Sequence, residues 1–275
     1  MTGNAAVLNG KAVKLPKSQL PRTKKTVKPT QNQQLRRSIG NDNLTLNGNR
    51  TSSNEASDAA YRSELIAIID DLQVADRELN SAYQELQQKL SRLDFGSNEI
   101  KQHLIHAQRA WIKYRDREAQ SESHLSSGKK DKLQSALDAK ARLTEERAKL
   151  LQRALRDEEL VPEDDQIDGA VSNYERSLRL EEKLKKTENE LNQVYQQLKN
   201  VITSRRSSME GQEIVTDLKK AQHAWRNFRD KESLFRSDST WGGSMQGRLM
   251  LAAEIALTRE RIQTLRQEIE LWDLM

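Results

Sequence analysis

The 275-residue chain contains no cysteine. Disulfides, thiolate metal sites and cysteine nucleophiles are therefore excluded. Proline is nearly absent: Pro16, Pro21 and Pro29 lie near the N-terminus and Pro162 in mid-chain. An interior proline breaks a helix, so the long proline-free stretches are open to continuous helix. Aromatic residues make up only 4% of the chain against 32% charged and 35% hydrophobic, which favours elongated helical bundles with narrow apolar stripes over a thick α/β core. No run approaches the roughly 20 apolar residues of a membrane span. The first residues, Met1 to Lys11, lack the continuous apolar segment of a secretory signal. The expected location is cytoplasmic, or outside the cell by a route that needs no such signal.

A strong charge bias is also missing from the expected folded part. The net charge is +5, but ten of the 46 bases and only three of the 41 acids fall in residues 1–60, leaving 36 bases and 38 acids elsewhere. A nucleic-acid interface needs a basic face on the fold. Contact with nucleic acid or anionic lipid is expected only non-specifically, through tail clusters such as Lys24-Lys25 and Arg36-Arg37. Residues 1–60 are polar and without apolar periodicity, and are expected to be disordered.

What the chain does have is a duplication. The segment Ala107-Gln108-Arg109-Ala110-Trp111-Ile112-Lys113-Tyr114-Arg115-Asp116-Arg117-Glu118 returns 114 residues later as Ala221-Gln222-His223-Ala224-Trp225-Arg226-Asn227-Phe228-Arg229-Asp230-Lys231-Glu232. Upstream, Glu78-Leu79-Asn80-x-x-Tyr83-Gln84 recurs as Glu190-Leu191-Asn192-x-x-Tyr195-Gln196; downstream, Leu143-Thr144-x-Glu146-Arg147 recurs as Leu257-Thr258-x-Glu260-Arg261. Three anchors in one order define a repeated unit. The expected organisation is a tail at 1–60, a first repeat at 61–157, an acidic linker at 158–170 and a second repeat at 171–275.

Within each copy, apolar residues step by three and four along three segments. Leu65, Ile69, Leu72, Leu79, Leu86 and Leu90 mark a first helix of about 33 residues, roughly 50 Å long. Ile100, Leu104, Ala107, Trp111 and Tyr114 mark a second; Leu133, Leu137, Leu143 and Leu151 mark a third. Glycines fall in the breaks between them. The fold class is all-α: two tandem antiparallel three-helix bundles with long helices, preceded by a disordered tail.

Gln108, Trp111, Arg115 and Glu118 are spaced to form one stripe on the second helix, as are Gln222, Trp225, Arg229 and Glu232. Arg147 and Arg261 lie on or beside the apolar stripe of the third helix. A buried cation must find a partner, and the acids at hand are Asp116 or Glu118, and Asp230 or Glu232. Together with Tyr83 and Tyr195, these residues read first as a structural network and second as a partner-binding groove, since Trp, Tyr and Arg are enriched at interaction hot spots. Trp241-Gly242-Gly243-Ser244 places an aromatic and free backbone N–H groups before a helix start, a candidate partner-binding segment. His103-x-x-His106 has metal-ligand spacing but no counterpart in the second copy, so surface histidines are the preferred reading. Neither a nucleophile–base set nor a cofactor fingerprint is visible. The expectation is a non-enzymatic protein with no cofactor and no metal.

The ordered anchors resemble a known family. Leu79-Asn80-x-x-Tyr83, Ala107-Gln108-x-x-Trp111-x-x-Tyr114-Arg115-Asp116 and Leu143-Thr144-x-x-Arg147, with their second-copy counterparts and Gly242-Gly243-Ser244, are similar to the bacterial LprI-like lysozyme-inhibitor domain over about 78–151 and 190–265. The resemblance implies a small helical module of the cell envelope that binds another protein, lysozyme in particular. The family's usual cysteines are replaced by Ala119 and about Ala139, and by Ser233 and about Ala253. Other readings are a cytosolic helical scaffold or adaptor and a protein exported by a specialised secretion system.

Overall fold

A computed structural model describes residues 52–93, 96–125, 129–161, 172–238 and 245–274. Most of the expected tail and linker, and the whole of Trp241–Ser244, lie outside the described residues. Among those described, the secondary structure is six α-helices and one turn of 3-10 helix: α1 Ser52–Leu90, α2 Ser97–Glu122, the turn Ser123–Leu125, α3 Lys129–Leu155, α4 Asn173–Arg205, α5 Ser208–Ser237 and α6 Gln246–Leu274. The three-four stepping thus becomes helix where expected. The first helix begins earlier than 61: residues 52–60, assigned to the tail by their polar composition, are its first turns.

Local chemistry sets the ends. Gly96 precedes α2 with φ 69, a left-handed conformation that costs glycine little. Ser172 caps α4 in a full capping box, accepting from the Glu175 backbone N–H while Glu175 reaches back to the Ser172 backbone. Ser207 caps α5 by accepting from the Glu210 N–H.

Consecutive helices run antiparallel, yet the closest packing in each repeat is between its first and third helices, which run parallel. Their C-terminal ends meet: Lys89 Nζ donates to the Leu155 carbonyl at 2.7 Å, and Arg205 Nη2 to Asp273 Oδ1 at 3.0 Å. Small buried residues permit this approach, including Ala75 and Ala82 on α1 and Ala139 and Ala148 on α3. Thr144 and Thr258 are wholly buried in the same layer; each satisfies its hydroxyl on the carbonyl four residues earlier, Lys140 or Glu254, at 2.6 Å.

The two repeats join through their middle helices. α2 and α5 lie antiparallel along one another, second in extent only to α1 against α3. One hydrophobic core runs through both repeats, from Leu79 and Leu104 through Trp111, Leu151, Leu198 and Leu218 to Trp225, Leu265 and Trp272.

Candidate functional site

At the centre of the α2–α5 contact the Tyr114 and Phe228 rings stack, with centroids 5.5 Å apart and planes 6° from parallel. These are equivalent positions in the two copies. The guanidinium carbon of Arg147 lies 5.8 Å from the Phe228 ring centre, and that of Arg261 lies 5.9 Å from the Tyr114 ring centre. Both arginines are 2% exposed. Within its own repeat, each donates from Nε to the glutamine of the stripe: Arg147 to Gln108 Oε1 at 3.0 Å, Arg261 to Gln222 Oε1 at 3.1 Å.

The acids that neutralise them come from the other repeat. Arg147 Nη1 stands 2.8 Å from Glu232 Oε2, and Arg261 pairs with Glu118. Asp116 and Asp230, equally available by sequence, stay exposed and bind Arg115 and Arg229 beside them. The reason is geometric. Glu118 and Glu232 share a helix face with Tyr114 and Phe228 and are carried into the contact, whereas the aspartates point away. Each arginine therefore ties its own Gln to the partner repeat's Glu.

Trp111 and Trp225 are each 3% exposed. Arg115 covers Trp111 at 5.2 Å and Arg229 covers Trp225 at 5.6 Å. Each arginine also reaches the first helix of its repeat: Arg115 toward Asp76 at 3.6 Å and Arg229 to Glu188 at 2.9 Å. Tyr83 and Tyr195 are half-buried; Gln87 donates to the Tyr83 hydroxyl at 2.9 Å, and Lys199 lies over the Tyr195 ring. The repeated polar residues thus form one network with two inter-repeat crossings. The four positions where the resemblance expects cysteine, Ala119, Ala139, Ser233 and Ala253, are all buried.

Two further crossings escaped sequence reasoning. His103 Nδ1 lies 3.0 Å from Asp238 Oδ1 at one end of the α2–α5 pair, and His124 Nε2 lies 3.1 Å from Asp217 Oδ2 at the other. Under the 114-residue offset His103 corresponds to Asp217, and His124 to Asp238. That substitution of His for Asp at equivalent positions was a legible signal. His103 serves this contact rather than pairing with His106 as a metal ligand. Among the described residues no cluster of three or more His, Asp or Glu side chains could hold a metal ion, and no helix is long and apolar enough to cross a membrane.

A cleft of about 760 Å³ opens between α3 and α6, over the α2–α5 pair. Its two lobes differ in charge. One is lined by Arg261, Arg142, Glu122 and Glu268, with Glu118 buried behind them on Arg261. Burial, then the Glu118 charge, pushes the Glu268 carboxyl up to about 8. The other holds Arg147 and Arg236 on a single buried carboxylate, Glu232, which Arg236 Nε contacts at 3.1 Å. Burial opposes ionisation of Glu232, but the two guanidinium groups outweigh it and hold the carboxyl below its usual range.

The family whose description is Lysozyme inhibitor LprI matches this chain twice, over residues 52–151 and 169–265. No curated protein is detectably similar to the chain. No solved structure is detectably similar either.

Proposed function

The chain belongs to the LprI lysozyme-inhibitor family, and from that membership we propose that it acts by binding another protein, a lysozyme, and blocking its access to cell-wall substrate. The observation that carries this reading is the double family match, which spans both bundles. The proposed role is non-enzymatic, in keeping with membership of an inhibitor family.

Not every aromatic residue of the repeats is free to meet a partner. Trp111 and Trp225 are committed to the core, so they are not surface anchors. The segment Trp241–Ser244, between α5 and α6, is the proposed contact. That segment lies outside the described residues and is chosen on its sequence, an aromatic residue followed by two glycines and a serine. Lysozymes are typically basic, while residues 61–275 hold 36 bases and 38 acids. Steering by net charge is therefore weak, and affinity rests on the shape of the contact.

The test uses the full chain in a turbidity assay of bacterial cell-wall lysis by lysozyme. Inhibition is expected near stoichiometric ratio. Trp241→Ala should abolish it with the helical circular dichroism and melting curve unchanged. Full lysis in the presence of excess wild-type chain would overturn the proposal and favour a helical scaffold. Inhibition that survives Trp241→Ala would place the contact elsewhere.

A further inference from the structure

The cleft between α3 and α6 carries a feature that inhibitor activity does not use. The repeat offset turns Glu122 into Arg236, so the two lobes differ in their charged residues. In the first lobe the copy-two helix α6 supplies Glu268, a buried carboxyl in the field of Arg261. The corresponding residue of α3 is Ala154. The second lobe therefore has two buried guanidinium groups, Arg147 and Arg236, one fully buried carboxylate, Glu232, and a methyl group where its twin has a carboxyl.

Arg147 keeps an unused donor. Its Nε is used by Gln108 and its Nη1 faces Glu232, but Nη2 is buried without an acceptor, as is Nη2 of Arg261 in the twin lobe. A buried unpaired donor on a cation is costly, and such a group marks a place for an acceptor. The pKa of Arg147 is lowered, by burial first and with Arg236 adding to it, whereas that of Arg261 is raised by Glu118 despite its burial. Glu146 and Glu260 also line the cleft, Glu146 at its exposed lip and Glu260 in the field of Arg236, with its carboxyl pushed up by burial. Leu143, Leu150, Leu257 and Phe228 supply apolar walls.

We propose that this lobe is a binding site for a small carboxylate carried on a flat apolar body, the carboxylate lying against Arg147 and Arg236 and the body between the leucines and Phe228. In the twin lobe the repeat-equivalent position holds a carboxyl of the protein itself, Glu268, in the field of Arg261. A planar carboxylate matches the guanidinium fork. The cleft as a whole, at about 760 Å³, lies in the range of small-molecule pockets, about 300–1,000 Å³ in general.

The test is calorimetric titration of the full chain with 1-naphthoate and with 1-naphthamide, which share a shape and differ in charge. Naphthoate should bind one to one, at least about tenfold more tightly than the amide. Arg236→Gln should weaken naphthoate by about tenfold and leave the amide unaffected. Ala154→Glu should abolish naphthoate binding, because the tethered carboxylate fills the lobe, and should leave the melting temperature equal or higher. Equal affinity for the two probes, or no naphthoate binding up to about 10 mM, overturns the site. So does full naphthoate affinity in either variant once its melting curve shows that it is folded. The wild-type comparison stands even if a variant fails to fold.

Discussion

Each residue of the repeated motif has one physical task. The Gln fixes its arginine, the Trp fills the core, the Arg of Arg-Asp covers the Trp, and the Glu crosses to the other repeat. The two crossings are not equal in strength. Glu118 is 1% exposed and has Arg261 as its ion-pair partner, whereas Glu232 has both Arg147 and Arg236. Removing one member of a buried pair costs about 3–5 kcal/mol, because the other charge is left uncompensated. Arg261→Ala should therefore lower unfolding free energy by about that amount in urea denaturation, and Arg147→Ala by less. Asp116→Ala and Asp230→Ala remove exposed carboxylates and should cost under about 1 kcal/mol. Equal losses for all four would show that the buried crossings add nothing special. Glu268 gives a pH signature. Its folded pKa, about 8, lies above its ordinary 4.5, so the native state holds a proton that the unfolded chain releases. Its contribution is fully present below about pH 4.5 and is lost as pH rises through about 8. Asp238, pushed up to about 6 by burial, acts in the same direction. The diagnostic is therefore a difference: Glu268→Gln should lose less stability than wild type between pH 5 and 8, and parallel profiles would rule out a protonated Glu268.

At the scale of elements, apolar periodicity marked all six helices, because a three-four stripe is a local property, although Leu133, read as part of the third helix's stripe, is 41% exposed. It did not reveal which helix meets which. Short connections suggested antiparallel neighbours, but the tightest contact joins the parallel first and third helices, where alanines let backbones approach. An alanine on a helix reads from sequence as a propensity choice as readily as a packing one, so this contact was illegible. Arg147 was legible as a buried cation needing a neighbouring-helix acid; that Glu232, from the other repeat, would supply it depends on how whole bundles dock. The Trp241 segment, picked out for its composition, gains no geometry from the described residues. The close α1–α3 approach makes a prediction. Ala148 is fully buried on α3, so Ala148→Leu overpacks the layer and should destabilise by about 1–3 kcal/mol. An unchanged urea midpoint would show that α1 and α3 have slack between them.

For the whole molecule, the duplication produces one folding unit rather than two beads. Ion pairs that each repeat needs are completed only by the other, and the core is continuous through Tyr114 and Phe228. An isolated first repeat would expose Trp111, Tyr114 and the unpaired Glu118 and Arg147 together, so residues 52–161 alone should lack a cooperative melting transition as a monomer. The two halves should nevertheless find each other, and selectively. Both histidines at the ends of the α2–α5 pair belong to the first repeat, and both aspartates to the second. Pairing two first repeats would set His103 against His124. Pairing two second repeats would set Asp217 against Asp238, carboxylate against carboxylate. Only the unlike pairing gives two His–Asp contacts, so the interface discriminates by penalising its alternatives as well as by rewarding the native match. Mixing fragments 52–161 and 172–275 should therefore yield a helical one-to-one complex with a cooperative melt, measured by sedimentation and circular dichroism. His103→Asp with His124→Asp in the first fragment should abolish that complex. The same complex should survive the reciprocal exchange, in which those two changes are matched by Asp217→His and Asp238→His in the second. A cooperative monomeric melt of either fragment alone would show that the repeats are independent domains and that the crossings are incidental to folding.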